Sequence, residues 1–371
     1  MQKKKIKIIC LIGQIGNGGS ERQLYLFLKY LDRKRYSPLV IVSSKSGGSR
    51  WERQIREELD VRIRFLGDLP KAAKFAKFAW AVFKNRTNVV FSWSFYTNAL
   101  CMSCPGTRFI GSLRGDLLIE KEQISSSNFR YSLKPRHFVV NTKILADELK
   151  LEGVPEENIS VIYNIFKAEE DCCEVRRTEN CRRIRDEYKI PQESVVVAGI
   201  GRSLPEKDFS FFISVFHEAA LLDSRIFGLL IGDIGEEIKR EIRDKNLENR
   251  FVLTGEVESA QKLLPAADIF FLSSRNEGLP NALIEAIDSG CAPLATDVGG
   301  VREVLEPYGQ EIIERTLISG REVPDAAGKL LFLAGNPGFR KEISSRRLKT
   351  LEKFSPDTVM SGYYQILEKS E

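Results

Sequence analysis

Two series of short apolar runs, each alternating with helix-like segments, constrain the fold of this chain most strongly. The first series includes the runs "IKIICLI", "SPLVIVSS", "NVVFSW" and "HFVVNT". The second includes "SVVVAGIGRS", "IFGLLIGD", "RFVLTGEV" and "DIFFLSS". Continuous apolar runs are typical of parallel strands that helices cover on both faces. The sequence therefore predicts an α/β protein with two tandem Rossmann-like, doubly wound domains that face a central cleft.

A charged segment separates the two series. Residues 166–193 are rich in Arg, Glu and Asp and contain no buried strand pattern. We therefore place an N-terminal domain at residues 1–166 and a C-terminal domain at residues 167–353. Residues 354–371 begin with a Ser-Pro-Asp pattern that is typical of a helix start, so we expect a closing helix there. A chain of 371 residues suits two domains.

Charge is distributed unevenly along the chain. Residues 1–170 contain 29 Lys and Arg against 17 Asp and Glu, a net of +12, and the remainder contains 27 against 34, a net of −7; the sum is the overall +5. A basic half favours phosphate-bearing ligands, nucleic acid or an anionic membrane surface, although a solvated lysine-rich face gives the same count. We expect no nucleic-acid partner, because no aromatic and basic recognition module is visible.

Cysteine usage and hydropathy favour a cytoplasmic protein. The seven cysteines are an odd number, which suits a reducing compartment. Only Cys101 and Cys104 have a C-x-x-C spacing, and no second pair completes a zinc site, so we expect structural thiols. The first residues lack the cleavage site of a signal peptide. Nowhere do about 18 apolar residues run together, so we expect no membrane span.

The stretch "SSRNEGLPNALIEAIDSG", residues 273–290, predicts a binding turn followed by a packed helix. Pro280 suits the first helical position, where its missing N–H is not needed. The helix start would form an anion site, which a ligand approaches closely at Gly278. Glu277 and Glu285 would flank this site and accept hydrogen bonds from sugar hydroxyls, so the stretch favours a nucleotide sugar. A capping role for Glu277 and a surface position for Glu285 are the alternatives.

Two cations follow the first strand of the second series. Arg202 and Lys207 in "GIGRSLPEKD" can neutralise a diphosphate without a metal ion. The sequence contains no Asp-x-Asp pair, the usual minimal device for holding a divalent ion against a diphosphate. We therefore expect no metal cofactor and electrostatic stabilisation of the leaving group. An ion pair of Lys207 with Glu206 is the alternative.

The motif "EGLPNALIEA…G…P…ATDVGGVREVL" resembles the glutamate–seven–glutamate motif of glycosyltransferases with the GT-B fold, most closely the retaining family 4 (glycosyl transferases group 1). The resemblance continues through "GIGRSLPEKD", "LLPAADIFFLSS" and "GNGGSERQ" and covers nearly the whole chain. It implies metal-independent transfer, with retention, from a UDP- or GDP-linked sugar to a glycan or lipid-linked acceptor in surface polysaccharide or glycolipid biosynthesis. It implies no protein nucleophile, only positioning and charge stabilisation.

The resemblance also implies a role for each matching donor-side residue. Arg202 and Lys207 would contact the diphosphate, Glu285 the ribose, and Glu277 the donor sugar. The helix after Phe354 would cross back to the N-terminal domain. The implied donor-binding residues are Arg202, Lys207, Glu277, Gly278, Leu279, Pro280, Asn281, Glu285, Val257 and Gly19. Of these, Glu277, Arg202 and Lys207 are implied to support catalysis.

The chain departs from the family on the acceptor side. Many relatives carry a histidine near the reacting carbon, where this chain has Leu113, Arg114, Gly115 and Asp116. Arg114 or Asp116 would take part of that role. The acceptor-side residues that we predict are Gly18, Arg114, Asp116 and Trp93. The two histidines, His137 and His217, are expected to be structural.

Two aromatic stretches of the N-terminal half allow more than one interpretation. "KAAKFAKFAWAVFKNRTN" combines apolar residues at helical spacing with lysines. It predicts either a core helix with snorkelling lysines or a contact with an anionic membrane surface. The second interpretation would suit a lipid-linked acceptor and a peripheral location on the inner face of the membrane. In "SWSFYTN", Trp93, Phe95 and Tyr96 would either stack on a ligand or belong to the core.

Two other functions fit the same fold. A nucleotide-sugar epimerase would need acidic and histidine residues in the cleft, which are scarce. A non-catalytic nucleotide-sugar-binding protein would be indicated by a broken donor pocket, yet Arg202, Lys207, Glu277 and Glu285 are all present.

Overall fold

The computed structural model describes residues 5–45, 47–168 and 174–368, which form two compact units. The N-terminal unit comprises Met1–Ile165 together with Lys353–Glu371, and the C-terminal unit comprises Phe166–Glu352. Each unit contains one sheet whose strands pair in parallel. Two doubly wound α/β domains are thereby confirmed.

The N-terminal unit is built on a seven-stranded sheet in the order β3-β2-β1-β4-β5-β6-β7. Its strands are β1 (Ile6–Ile12), β2 (Tyr36–Val42), β3 (Ile63–Phe65), β4 (Val89–Ser92), β5 (Arg108–Leu113), β6 (His137–Val140) and β7 (Ile159–Val161). Its first helices are α1 (Gly19–Tyr30), α2 (Arg50–Glu57), α3 (Lys71–Asn85), α4 (Leu117–Gln123), α5 (Ser126–Ser132) and α6 (Lys143–Leu151).

Strand β1 shows why a continuous apolar run is required at the centre of this sheet. Its side chains alternate between the two faces. Ile8, Cys10 and Ile12 pack into the cluster that contains residues of α1, whereas Ile9 and Leu11 pack into the cluster that contains residues of α3. Because helices cover both faces, neither set is exposed to water.

The C-terminal unit is built on a six-stranded sheet in the order β10-β9-β8-β11-β12-β13. Its strands are β8 (Val195–Ile200), β9 (Ile226–Ile231), β10 (Phe251–Leu253), β11 (Ile269–Leu272), β12 (Ala292–Thr296) and β13 (Leu317–Ile318). Its helices are α7 (Glu174–Glu187), α8 (Phe209–Leu222), α9 (Glu236–Asp244), α10 (Asn281–Asp288), α11 (Val301–Leu305), α12 (Gln310–Thr316), α13 (Val323–Gly335), α14 (Pro337–Ser345) and α15 (Arg347–Leu351).

Both sheets reverse their strand order at one point, between β1 and β4 and between β8 and β11. In open parallel sheets, ligands bind beyond the carboxyl ends of the strands at such a switch point. The order of the strands therefore indicates where the functional residues of each unit should lie.

The last helix, α16 (Pro356–Glu368), packs into the core of the N-terminal unit. The ring of Tyr363 lies 5.0 Å from that of Phe27, measured between centroids. The guanidinium of Arg108 donates hydrogen bonds to the carbonyl oxygens of Ile366 and Leu367, at the end of the helix. Residues from the end of the chain thus complete a core that the first strands begin.

The charged segment that we predicted as the domain junction begins at the boundary between the two units and includes the first helix of the C-terminal unit. Residues 169–173 of that segment lie outside the described residues. The following helix, α7, is held by Arg185, which pairs with Asp268 at 2.8 Å and donates to the carbonyl oxygen of Ala266 at 3.0 Å. Within the described part of the chain, no helix is both long enough and apolar enough to span a bilayer.

Candidate active site

The predicted donor-side residues of the C-terminal unit lie on loops that follow the carboxyl ends of its strands. Arg202 and Lys207 follow β8, Val257 follows β10, and Glu277 lies between β11 and α10. Because the strands are parallel, these ends share one edge of the sheet. The donor-side residues predicted from the sequence therefore lie at a single edge of the sheet.

Lys207 and Glu277 form an ion pair at this edge. The Lys207 Nζ lies 2.6 Å from the Glu277 Oε1, which also accepts a hydrogen bond from the Ser274 hydroxyl at 2.7 Å. Their side chains are only 28% and 12% exposed. Lys207 thus pairs with Glu277 rather than with Glu206, and the Glu277 carboxylate binds Lys207 and Ser274 rather than capping a helix.

Helix α10 begins directly after the loop that carries Glu277. Its N-cap is Pro280, in extended conformation, and Asn281 is its first residue. Our prediction of Pro280 as the first helical residue is thus wrong by one position, because its ψ of 95° belongs to the preceding turn. Leu279 is buried, so its side chain faces the interior of the unit and not solvent. The N–H groups of the first helical turn form a site suited to an anion.

A glycine turn after β12 fixes the backbone of this loop. Gly299 has a φ of +50°, and a Cβ atom placed there would lie 1.7 Å from the carbonyl oxygen of Glu277. The N–H of Gly300 donates to the carbonyl oxygen of Gly278 at 2.8 Å. Only glycine fits at position 299, and the turn holds the residues around Glu277 in place.

The loops after β8, β9 and β10 are packed together by glycines as well. A Cβ atom on Gly232, which has a φ of +122°, would lie 2.1 Å from the carbonyl oxygen of Gly201. The N–H of Gly232 donates to the carbonyl oxygen of Gly255 at 3.1 Å. These contacts fix the backbone beside Arg202, whose side chain is exposed, and the backbone leading to Val257.

Glu285 is the fifth residue of α10 and is only 8% exposed. The alternative of a surface charge is therefore wrong. Burying a carboxylate costs free energy unless polar groups compensate it. Glu285 is therefore a buried carboxylate in a helix whose neighbouring residues are mostly apolar.

A group of ion pairs around Asp208 holds the Lys207 loop in place, and the sequence analysis did not predict it. Asp208 accepts a hydrogen bond from the Phe211 N–H at 3.2 Å and pairs with Arg275 at 2.8 Å and with Arg321. Arg321 also donates to the carbonyl oxygen of Ser273 at 3.1 Å. An aspartate before an apolar helix is a recognisable capping signal. Arg321 gives no such signal, because its partners are distant in sequence.

The N-terminal unit contains a cavity of about 270 Å³ beside the carboxyl ends of β1, β4 and β5. Two predicted acceptor-side residues, Arg114 and Trp93, line it. The complete lining comprises Ile12, Gln14, Ser20, Glu21, Trp93, Ser94, Phe95, Tyr96, Arg114, Gly115 and Glu120.

Arg114 is held in place by aromatic and polar contacts. Its guanidinium carbon lies 4.1 Å from the centroid of the Trp93 ring, and its Nη2 donates to the Tyr363 hydroxyl at 3.0 Å. Trp93 is 1% exposed and packs against Phe27 and Phe91. Trp93 is therefore a core residue, one of the two alternatives that the sequence left open, and its ring lies against the Arg114 guanidinium in the wall of the cavity. Tyr96, which is 37% exposed, is the accessible ring of this stretch.

Asp116 has a structural function that the sequence analysis did not assign to it. Its Oδ1 accepts hydrogen bonds from the N–H groups of Leu118 at 2.7 Å and Ile119 at 3.1 Å. Asp116 is the N-cap of α4 and does not belong to the lining of the cavity. Of the two residues that we predicted to replace the family histidine, Arg114 alone faces the cavity.

Gly18 and Gly19 lie at the start of α1, Gly18 as its N-cap and Gly19 as its first residue. The buried carboxylate of Glu21 turns back towards this loop and accepts a hydrogen bond from the Gly16 N–H at 3.1 Å. A Cβ atom on Gly18 would lie 2.7 Å from the Glu21 Oε2. Glu21, which we did not predict, thus shapes the loop that both glycines belong to.

Glu120 was also missed, whereas Tyr96 was predicted either to stack on a ligand or to belong to the core; both residues line the cavity and set its polarity. Burial, together with the nearby carboxylates of Glu120 and Glu21, raises the pKa of Tyr96 to about 12. Burial also raises the pKa of Glu120 above its ordinary value. The Tyr96 hydroxyl therefore remains a hydrogen-bond donor at neutral pH. Such groups suit the hydroxyls of a sugar.

The remaining polar candidates have structural environments. His137 Nε2 lies 2.9 Å from the Ser160 hydroxyl, across strands β6 and β7. Burial raises the pKa of Cys101 to about 12 and that of Cys104 to about 11, so both thiols stay protonated at neutral pH. Among the residues that the structure describes, no group of three His, Cys, Asp or Glu side chains could hold a metal ion.

Two family models match the chain, one for each half. The model described as Glycosyltransferase Family 4 matches residues 17–170, and the model described as Glycosyl transferases group 1 matches residues 181–349. With two parallel-sheet domains in addition, the chain belongs to the group 1 glycosyltransferases of the GT-B fold.

Two curated relatives match about half of the chain. The poly(ribitol-phosphate) alpha-N-acetylglucosaminyltransferase of Staphylococcus aureus (strain COL) is 27% identical over 195 residues, 50% of this chain and 38% of the relative. The 2-deoxystreptamine N-acetyl-D-glucosaminyltransferase of Niallia circulans is 26% identical over 196 residues, 52% of this chain and 49% of the relative. The matched region thus spans less than half the length of each relative.

The solved structure of HepE (Alr3699) from Anabaena, in complex with UDP and glucose, shares the fold over both units. It aligns with a TM-score of 0.80 and 18% sequence identity over 98% of this chain and 100% of that chain. At this identity the likeness establishes the fold, and the chemistry must be argued from the residues of this chain.

Proposed function

We propose that this chain transfers a sugar from a nucleotide sugar to a glycan or lipid-linked acceptor, with retention and without a metal ion. The observation that carries the proposal is the pairing of Lys207 with Glu277 at the start of α10. A cation, a carboxylate and a helix N-terminus are there assembled in one place. A diphosphate and a sugar ring are the ligand groups that match this set.

The proposed chemistry uses charge stabilisation. When the bond between the sugar and the diphosphate breaks, negative charge develops on the departing phosphate. Lys207, Arg202 and the N–H groups of α10 stabilise that charge. The acceptor hydroxyl attacks from the face that the phosphate leaves, and a phosphate oxygen takes its proton. Glu277 orients the donor sugar, Glu285 holds the ribose hydroxyls, and the backbone near Val257 lies along the base.

For the donor we propose a UDP-linked sugar. The support comes from HepE, which was solved with UDP and glucose and shares the fold over nearly the whole chain. For the acceptor we propose a glycan or a lipid-linked sugar that enters the cavity of the N-terminal unit. The support comes from Arg114, Tyr96 and Glu120, which offer hydrogen bonds to hydroxyl groups there.

For the biological setting we propose surface polysaccharide or glycolipid biosynthesis on the cytoplasmic side of a membrane. The support comes from the Staphylococcus aureus relative, whose name specifies poly(ribitol-phosphate) as its acceptor.

Calorimetric titration of the full chain with UDP, UDP-glucose, UDP-N-acetylglucosamine and GDP-mannose tests the donor assignment. We expect binding of a UDP-linked sugar with and without EDTA, and a loss of affinity of about tenfold in Glu285→Ala, because one charged hydrogen bond to the ribose is removed. Lys239→Ala, on the surface of the same unit, is the matched control. Binding that requires magnesium would contradict the metal-free mechanism.

The requirement for an acceptor separates transfer from the alternatives. UDP should be released at a substantial rate only when a glycan acceptor is supplied. Interconversion of two UDP-sugars without acceptor would indicate an epimerase. Donor binding without any turnover, against a panel of glycan and lipid-linked acceptors, would indicate a binding protein.

A further inference from the structure

The outer face of α3 is apolar, although it faces solvent. The helix buries Phe78, Ala81 and Val82 in the core of the N-terminal unit. On the opposite side lie Ala72, Ala76, Trp80 and Phe83, at spacings of four, four and three residues, and we call this set the α3 patch. Its two aromatic residues are strongly exposed, Phe83 at 82% and Trp80 at 56%.

Such a helix is unusual on a protein surface. A helix that covers a sheet normally turns charged or polar residues towards water, opposite its buried stripe. A single exposed apolar residue needs no explanation. Two large aromatic residues one turn apart, directly opposite the buried stripe, indicate a surface that a partner covers.

The charge around the α3 patch specifies that partner further. The helix carries Lys71, Lys74, Lys77 and Lys84 and no acidic residue, and no Asp or Glu occurs anywhere between Asp68 and Asp116. Lys84 Nζ lies 4.4 Å from the centroid of the Trp80 ring, so a cation borders the patch directly. Lys77 instead donates to the carbonyl oxygens of Phe65 and Leu66 and fixes the helix to the end of β3.

We propose that the α3 patch is the docking site of this protein on an anionic lipid surface. Aromatic side chains are favoured at the boundary between headgroups and acyl chains. Lysines beside them attract anionic headgroups while their stems lie along the apolar surface. A 15-residue helix is about 22 Å long, so α3 can lie flat on the bilayer. Dimerisation through this face would bring like charges together, which disfavours a second copy as the occupant.

Other exposed apolar residues of the same unit lack this combination. Leu151, at the end of α6, is 89% exposed, and Leu118 of α4 is 68% exposed. Both helices contain acidic residues, which anionic lipid repels. Leu151 therefore provides a matched control, since it is an exposed apolar residue on a helix that does not have an excess of lysines.

Flotation with vesicles tests the proposal. The full chain is mixed with vesicles of phosphatidylcholine alone or of phosphatidylcholine and phosphatidylglycerol, at low and at high salt. We expect binding to the anionic vesicles that weakens at high salt. Trp80→Ser with Phe83→Ser should weaken it at least tenfold, and Lys84→Gln, whose ammonium borders the patch, about fivefold. Leu151→Ser should bind as the unchanged chain does.

Tryptophan fluorescence gives a second measurement. Trp93 is buried, whereas Trp80 is exposed, so the emission of Trp80 should shift to shorter wavelength when the patch enters the lipid. Trp80→Phe should keep the binding and lose most of the shift. Circular dichroism of each variant checks that the fold is retained.

Several outcomes would overturn the proposal. The first is that the chain does not bind anionic vesicles even at low salt. The second is that it binds them equally well after the Trp80 and Phe83 changes. The third is that it self-associates without lipid and that those changes abolish the self-association. Lipid-free capture of an acidic protein through the same residues would also overturn it. The proposal supplies a membrane surface for the proposed lipid-linked acceptor, yet the tests are separable. The α3 variants should keep full transfer to a water-soluble acceptor.

Discussion

The carboxyl-end edge of the C-terminal sheet and the cavity of the N-terminal unit are assembled in different ways. At the C-terminal edge, Lys207, Glu277 and the start of α10 are joined by an ion pair and by backbone contacts. In the N-terminal cavity, Arg114 depends on Trp93 and on Tyr363, a residue of the last helix. The first arrangement is held by neighbouring loops, and the second depends on the whole core of its unit.

This difference determines how strongly a side-chain substitution should change the geometry of each region. The polar groups at the C-terminal edge occur in short motifs whose backbone is fixed by glycine turns. The polar groups of the N-terminal cavity come from the loops after β1, β4 and β5 and rest on side-chain packing. Side-chain changes in the cavity can therefore alter its shape, while the C-terminal edge keeps its geometry. In the proposed function, one donor site would then serve many acceptors.

The strongest test of this contrast removes the two cations at the C-terminal edge. Arg202→Ala together with Lys207→Ala should reduce acceptor-dependent release of UDP by at least about a thousandfold, since removing a single donor to a developing oxyanion costs about a hundredfold to a thousandfold. Lys239→Ala should have no effect, because its ammonium pairs with Glu236 on the surface. Turnover within tenfold of the unchanged chain would show that the cations do not stabilise the leaving group.

A backbone change at the same edge should have the next largest effect. Gly299→Ala places a Cβ atom against the Glu277 carbonyl at a positive φ. It should lower the free energy of unfolding by about 2–3 kcal/mol and weaken donor binding. Thermal unfolding and calorimetry measure both effects. Gly328→Ala, in α13 where a Cβ meets no atom within 4 Å, should be neutral or stabilising.

Changes in the N-terminal cavity should affect the acceptor alone. Arg114→Ala should raise the KM for the acceptor about tenfold, because one charged hydrogen-bond donor is lost. The Kd for the donor should stay unchanged, and Arg114→Lys should restore part of the loss. A matching change in donor affinity would remove the distinction between the two regions.

The smallest effect concerns the pH dependence of stability through Glu120. Its pKa in the folded chain is raised by burial, so its stabilising contribution is complete below the ordinary pKa and is lost as the pH rises through the raised value. Glu120→Gln cannot ionise. Relative to the unchanged chain, its free energy of unfolding should therefore rise slightly as the pH is raised from about 4 to about 7. Urea unfolding at several pH values measures this, and a constant difference would contradict it.

The sequence was most informative where local patterns determine the structure. The apolar runs predicted two parallel sheets, because strands covered on both faces need such runs. The motif around Glu277 also predicted a loop followed by a helix, which is observed as α10. These features depend on residues that are close in sequence.

The sequence was least informative where contacts join distant residues. Nothing near Arg114 indicates that Tyr363 will hold it, and nothing near Arg321 indicates Asp208. Asp116 was predicted on the acceptor side from its position after β5, and nothing in the sequence indicated that its carboxylate caps α4. Trp93 was predicted on the acceptor side with a core position left open, because burial cannot be read from one aromatic stretch.

The glycine at position 299 separates the shape of the loop that carries Glu277 from the identity of its side chains. The path of the backbone through Glu277 and Gly278 is fixed by main-chain atoms of the turn that contains Gly299 and Gly300. Replacing a side chain in the loop leaves these main-chain contacts in place. In the proposed function, single loop residues could therefore be exchanged for another donor sugar while the backbone that presents them stays in place.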